Sequence, residues 1–198
     1  MPVLHLIAGP NGAGKSTLYR YLIQPRYPQL PFVNADLHER DQLGHVRHAV
    51  RRSEAARAWA DAERREHLEA GRSFVSETVF SHPSKLTLLA DARARGFEVA
   101  LYVVCLDDAR RLLDRVQQRV HEGGHDVPAD KILARYPRTL DNLRLAVREV
   151  QLAMLFDAAE VEAGGPHLVA SVVAGQIRPH GAWMPAWVHK VLGSPVAV

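Results

Sequence analysis

The sequence predicts an α/β fold built on a mostly parallel sheet. Two observations carry this. Short apolar runs alternate with longer stretches of helical period, and a glycine-rich turn sits directly between the first run and the first helix. Such alternation means parallel strands joined by right-handed crossovers. At 198 residues, 47% hydrophobic and 24% charged, the chain suits one domain over 1–198, and disorder is excluded as a whole-chain description.

Taken in order, Val3 to Ala8 reads as a buried strand, followed by the glycine-rich turn and a helix over Lys15 to Ile23. Phe32 to Asn34 is a short strand after a connection holding Pro25, Pro28 and Pro31. Arg51 to Ala70 is rich in Ala, Glu and Arg and predicts a helix stopped by Gly71. Ser73 to Glu77 is the next strand, and Ser84 to Arg95 a helix ending at Gly96. Phe97 to Leu106 is nearly all aliphatic and β-branched, which suits a strand covered on both faces. Ala109, Leu112, Leu113, Val116 and Val120 share one helix face, and Gly123-Gly124 interrupts it. A further helix is expected over Thr139 to Ala159, with Leu140, Leu143, Val147, Val150 and Met154 in one stripe. His167 to Ala174 is expected to be the last strand.

The longest apolar run, Val99 to Leu106, is eight residues, against about 20 for a bilayer span. The formal net charge of +3 does not argue for nucleic acid, and no basic-aromatic interleaving is visible. The single cysteine, Cys105, reads as a core thiol in a reducing, cytoplasmic compartment. No export signal is expected.

Residues 9–17 read GPNGAGKST, a phosphate-binding loop placed after a strand and before a helix. Glycines 9, 12 and 14 let the backbone through Asn11 and Ala13 aim N–H groups at phosphate oxygens, and the helix N-terminus adds its dipole. Lys15 is then expected to reach the β- and γ-phosphates of ATP, Ser16 to ligate Mg²⁺, and Thr17 to cap the α-phosphate. This makes the expected fold a three-layer P-loop NTPase of nucleoside-kinase type with a helical lid over about 119–138.

A kinase also needs a carboxylate at the strand ends beside the loop. Asp36 and Glu77 meet that requirement. Asp107 follows an apolar run too, but with Asp108 and a helix behind it, Asp107 or Asp108 reads as an N-cap. Arg111, Arg115 and Arg119 form a stripe spaced by about 6 Å. Arg119 borders the glycine pair and Arg135 lies beyond it, so these two are the candidate lid arginines. His121 and His125 bracket the glycines without a third ligand at zinc spacing. Trp183 and Trp187 are expected to pack a closing helix, and Gln176 to His180 is the candidate purine loop.

Five segments together resemble the zeta toxin family of small P-loop kinases: GPNGAGKST at 9–17, FVNAD at 32–36, GRSFVSET at 71–78, RVQQRVHEGGHDVP at 115–128 and ILARYPRTLDNL at 132–143. The resemblance implies ATP- and Mg²⁺-dependent phosphorylation of a sugar hydroxyl of UDP-N-acetylglucosamine. It implies Asp36 as base, Glu77 and Thr78 at the acceptor and metal, lid arginines (here Arg119 and Arg135) on the transferred phosphate, and an antitoxin protein as possible partner. The chain departs from the family at Leu37 to Arg40 and at Thr78 to Phe80, both on the acceptor side, and Pro137 predicts a kink in the lid's return helix. Two alternatives stay open: another acceptor (a free sugar, a nucleoside or an RNA end), or an ATP-dependent binding module controlling a protein partner.

Overall fold

A computed structural model of the chain describes residues 1–121, 127–162 and 165–193. One seven-stranded sheet runs through them in the order β2-β3-β1-β4-β5-β6-β7. These strands are β1 (Val3–Ala8), β2 (Phe32–Val33), β3 (Phe74–Thr78), β4 (Glu98–Cys105), β5 (Leu152–Glu162), β6 (Gly165–Val173) and β7 (Gln176–Pro179). The first five are parallel, β6 runs antiparallel to β5, and β7 runs antiparallel to β6. The helices are α1 (Lys15–Leu18), continued by a π-helical turn over Tyr19–Ile23, then α2 (Ala35–Gln42), α3 (Ala49–Glu69), α4 (Ser84–Ala94), α5 (Ala109–His121), α6 (Ala129–Glu149) and α7 (Ala186–Leu192).

Helices cover the sheet on both faces, giving the three expected layers. On one face Leu4, Leu6, Leu101 and Leu155 pack against α3, α4, α6 and α7. On the other, Ile7, Val104 and Phe156 pack against Leu18, Ile23, Leu112 and Val116. Each such side chain contributes about 1.5–3 kcal/mol when withdrawn from water. This double covering is why β4 is apolar along its length, with only Glu98 exposed. Cys105 is buried there, and burial pushes its thiol up to about 12, where it is unreactive.

Three expectations are corrected. The helix placed at Thr139 to Ala159 is α6, which begins at Ala129 and ends at Glu149. Leu140, Leu143 and Val147 do share its buried face, but Met154 lies on a strand. The segment Leu152 to Ala159 is rich in helix formers, yet pairing with β4 on one side and β6 on the other makes it extended. Non-local hydrogen bonds here override local propensity. The second correction is that β6 is not the last strand. Gln176 to Pro179 forms β7 at the sheet edge, and Gln176 opposes Val173 at the end remote from the phosphate loop, so the purine-loop assignment falls. Third, the strand expected over Phe32 to Asn34 ends at Val33, and Asn34 instead caps α2, accepting from the Leu37 amide at 3.1 Å. Pro137 is accommodated inside α6, which runs continuously past it.

The two C-terminal tryptophans part company. Trp187 is 1% exposed, whereas Trp183 is 66% exposed. Asp107 does cap a helix, though not its own. Its carboxylate accepts from the amides of Ala186 (3.0 Å) and Trp187 (2.6 Å) at the start of α7, while Asp108 accepts from Arg110 in the first turn of α5. The Trp187 indole adds a bond to Asp157 of β5 at 2.9 Å. Asp107→Ala is expected to cost about 1–2 kcal/mol by removing this cap, read as a lower melting temperature with unchanged affinity for an ATP analogue. A weakened affinity would put Asp107 at the nucleotide instead.

Candidate active site

The loop of residues 9–14 leaves β1 and crosses the C-terminal edge of the sheet. At Gly9 a Cβ would stand 2.0 Å from the Val104 carbonyl oxygen, and at Gly12 it would stand 2.6 Å from that of Leu112. Both have positive φ, 154° and 80°, so glycine is required by space and by conformation. Ala13 donates to the Pro10 carbonyl, and Gly14 caps α1. Lys15 is 7% exposed, and its ammonium donates to the Pro10 carbonyl at 3.0 Å.

Parallel pairing sets Glu77 beside Ile7 and Thr78 beside Ala8, so β3 delivers its acid to the loop. Ser16 donates to the Glu77 carboxylate at 3.0 Å, the Asn34 amide donates to it at 2.9 Å, and the Lys15 ammonium stands 3.7 Å away. Burial raises the Glu77 pKa, opposed by the Lys15 charge, while the neighbouring Asp36 adds to the rise. Arg119, in the last turn of α5, is near enough to favour the charged carboxylate. Asp36 lies in the first turn of α2 and makes no side-chain hydrogen bond or ion pair with the described residues.

These groups open on a cavity of about 760 Å³ between the phosphate loop, α2, α3, the β3–α4 connection and α6. Asn11, Lys15, Asp36, Glu77, Thr78 and Arg135 all line it. Ser16 reaches it through Glu77. Thr17 stands apart, its methyl 3.7 Å from where a side chain at Gly165 would begin. The Thr78 hydroxyl accepts from the Phe80 amide at 3.3 Å. Exposed Arg111 and half-buried Arg115 both donate to the Ala159 carbonyl. His121 bonds within α5, and the Gly123-Gly124 pair and His125 lie outside the described residues.

Sequence reasoning missed several groups here. Arg64 of α3, 5% exposed, donates to Ser76 Oγ at 2.8 Å and to the Glu77 carbonyl at 3.2 Å, locking the strand end that carries the acid. From α6, Thr139 holds the Val79 carbonyl (3.1 Å) and Asn142 that of Phe80 (3.0 Å). They pin a connection in which buried Phe80 takes a left-handed φ of 62°, a strained value for a residue with a Cβ. The three-residue spacing of Thr139 and Asn142 is a legible helix-face signal. Their carbonyl partners, about 60 residues away, left no trace in the sequence.

The oxygen set of Ser16 and Glu77 is of the kind that Mg²⁺ takes when phosphates and water complete its shell. Among the described residues no group of three or more His, Cys, Asp or Glu is arranged to hold a metal by itself.

A phosphate loop at the switch edge of a doubly covered, mostly parallel sheet, with a cavity beside it onto which Asp36 and Glu77 open, defines a P-loop kinase fold. Residues 1–162 match the zeta toxin family, and the chain belongs to that family. A chain of the AvrRxo1-ORF1:AvrRxo1-ORF2 complex with ATP is 18% identical with a TM-score of 0.73, over 100% of this chain and 65% of that one. This chain therefore spans less than two thirds of that relative's length. The PezAT chromosomal toxin-antitoxin system of Streptococcus pneumoniae is 16% identical with a TM-score of 0.61, over 79% of this chain and 68% of that one. A gluconokinase from Sinorhizobium meliloti is 19% identical with a TM-score of 0.50, over 80% and 84%. At these identities the likeness is one of fold. No curated protein matches the chain. No helix among the described residues is long and apolar enough to cross a membrane.

The raised pKa of Glu77 has a consequence for stability. A carboxyl shifted upward in the folded state favours folding below the ordinary glutamate value, and that contribution is lost as pH rises through the folded value. Glu77→Gln is therefore expected to raise the melting temperature of the nucleotide-free protein at about pH 7.5, with the gap closing towards about pH 4. A gap that widens in acid would contradict the burial argument.

Proposed function

We propose that the chain is a single kinase domain that transfers the γ-phosphate of ATP to a hydroxyl of a nucleotide sugar, UDP-N-acetylglucosamine being the acceptor that the family resemblance implies. The observation that carries the reading is the opening of Asp36, whose carboxylate makes no hydrogen bond or ion pair with the described residues, into the same cavity as Lys15 and Glu77. A phosphate loop alone serves many reactions. A loop facing an available carboxylate across an acceptor-sized space suits phosphoryl transfer to an alcohol.

The residues divide the work. The amides of Gly9, Asn11, Gly12, Ala13 and Gly14, with Lys15, Ser16 and Thr17, hold the ATP phosphates. Ser16 and Glu77 would hold Mg²⁺, whose charge would offset that of the ATP phosphates. Glu77 and Thr78 orient the acceptor. Asp36 takes the hydroxyl proton as the acceptor oxygen bonds to the γ-phosphorus and the bond to the ADP oxygen breaks. Arg119 and Arg135 balance the charge gathered on the transferred group. The relative of the same fold solved with ATP supports the choice of nucleotide. The toxin-antitoxin relative supports an antitoxin partner, which would cover the nucleotide cleft. The cytoplasm suits a chain with one buried thiol.

Mass spectrometry of a reaction with ATP, Mg²⁺ and UDP-N-acetylglucosamine tests the proposal. A phosphorylated nucleotide sugar is expected from the unmutated chain. Asp36→Asn is expected to lose transfer while still binding ATP; retained transfer would remove Asp36 as the base. Arg119→Ala is expected to slow turnover by about 10³-fold or more with little change in ATP affinity, and an unchanged rate would move that role elsewhere.

A further inference from the structure

The groups that hold the Glu77 carboxylate differ in what nucleotide would do to them. Among the described residues, Ser16 (3.0 Å) and Asn34 (2.9 Å) both donate to Oε2, and the Lys15 ammonium stands 3.7 Å from Oε1. Ser16 and Lys15 belong to the phosphate loop, so ATP and its metal compete with Glu77 for both. Asn34 sits at the exit of β2 and faces no such competition. Val33 opposes Ser76 in parallel register, which brings Asn34 level with Glu77 one position on.

The same amide has a second partner. Asn34 Oδ1 accepts from the Leu37 amide at 3.1 Å and caps α2, and Asp36 lies in the first turn of that helix. One side chain therefore grips Glu77 with its nitrogen and the turn that carries Asp36 with its oxygen. Only one orientation of the amide does both, because the backbone N–H donates and an ionised carboxylate accepts. Asn34 is 4% exposed, so a partner lost there is not replaced by bulk water. Other good caps fail at the second task. A serine is one bond too short to keep the 2.9 Å contact, and an aspartate would set a like charge against Glu77. We infer that Asn34 is the positioning residue that fixes Glu77 relative to Asp36, and the hydrogen bond that still holds the Glu77 carboxylate when ATP and Mg²⁺ engage Ser16 and Lys15. The inference rests on reading Glu77 as the acid on the metal side and Asp36 as the base.

Variants that keep the cap but drop the grip test it on the full chain. Asn34→Ser retains an acceptor for the Leu37 amide, and Asn34→Gly, also tolerated at a helix start, repeats the loss without a hydroxyl; Asn34→Ala removes both bonds and the cap preference. Each is titrated with Mn²⁺ in the presence of a non-hydrolysable ATP analogue, and bound Mn²⁺ is read by electron paramagnetic resonance. Asn34→Ser and Asn34→Gly are expected to melt close to the unmutated chain and to bind Mn²⁺ about tenfold more weakly. Asn34→Ala is expected to show the same weakening with a lower melting temperature. In transfer to UDP-N-acetylglucosamine at saturating Mg²⁺, Asn34→Ser should lower kcat about tenfold with the KM for ATP nearly unchanged. Mn²⁺ affinity and kcat restored by serine would reduce Asn34 to a helix cap and overturn the inference while the kinase reading stands. No Mn²⁺ uptake by the unmutated chain with the analogue would also overturn it. If the unmutated chain takes up Mn²⁺ but phosphorylates no acceptor, the kinase reading falls, and the Mn²⁺ comparison still decides for or against Asn34.

Discussion

No side chain fits at residue 9. The backbone of the phosphate loop passes so close to the Val104 carbonyl that a Cβ would fall 2.0 Å from its oxygen. That approach sets how the chain leaves β1, and so where Lys15 and Ser16 come to lie over the sheet edge. The neighbouring strands do the rest. With β3 on one side of β1 in parallel register, Glu77 and Thr78 arrive level with Ile7 and Ala8. With β2 outside β3, Asn34 and the first turn of α2 follow one strand further out. The candidate site is thus a consequence of strand order and of one close backbone contact.

Glu77 holds the assembly together at a cost. Burying its carboxylate is unfavourable, and the nearby Lys15 ammonium with the Ser16 and Asn34 donors offsets part of that penalty. The result is a connected set of polar groups drawn from β2, β3 and the phosphate loop, in which displacing one member disturbs the others. Arg64 fastens the same strand end from behind through Ser76 and the Glu77 carbonyl.

α6 is the other organising element. Tyr136 donates to the Leu106 carbonyl at 2.8 Å, at the exit of β4, while Thr139 and Asn142 hold the exit of β3. One helix therefore ties together the ends of two strands and, from the same turns, faces the cavity with its cationic side chains. The left-handed Phe80 is tolerated because its carbonyl is held and its ring is buried.

The phosphate loop, β1, β3, β4, most of α3 and the acids Asp36 and Glu77 were legible in the sequence alone. Each depends on signals local to the chain: glycine spacing, apolar runs, and a carboxylate just past a strand. The state of Leu152 to Ala159, the ten-residue offset in α6, the edge position of Gln176 to Pro179 and the placement of Arg57 and Arg64 at the cavity were decided only by the tertiary structure. Their determinants are partners far along the chain. A helix-prone segment becomes β5 because β4 and β6 offer it hydrogen bonds on both sides. A surface-like arginine on α3 becomes part of a charged cavity because α6 folds back opposite it. Local backbone preference amounts to at most about 1 kcal/mol per residue, and strand pairing across the chain outweighs it.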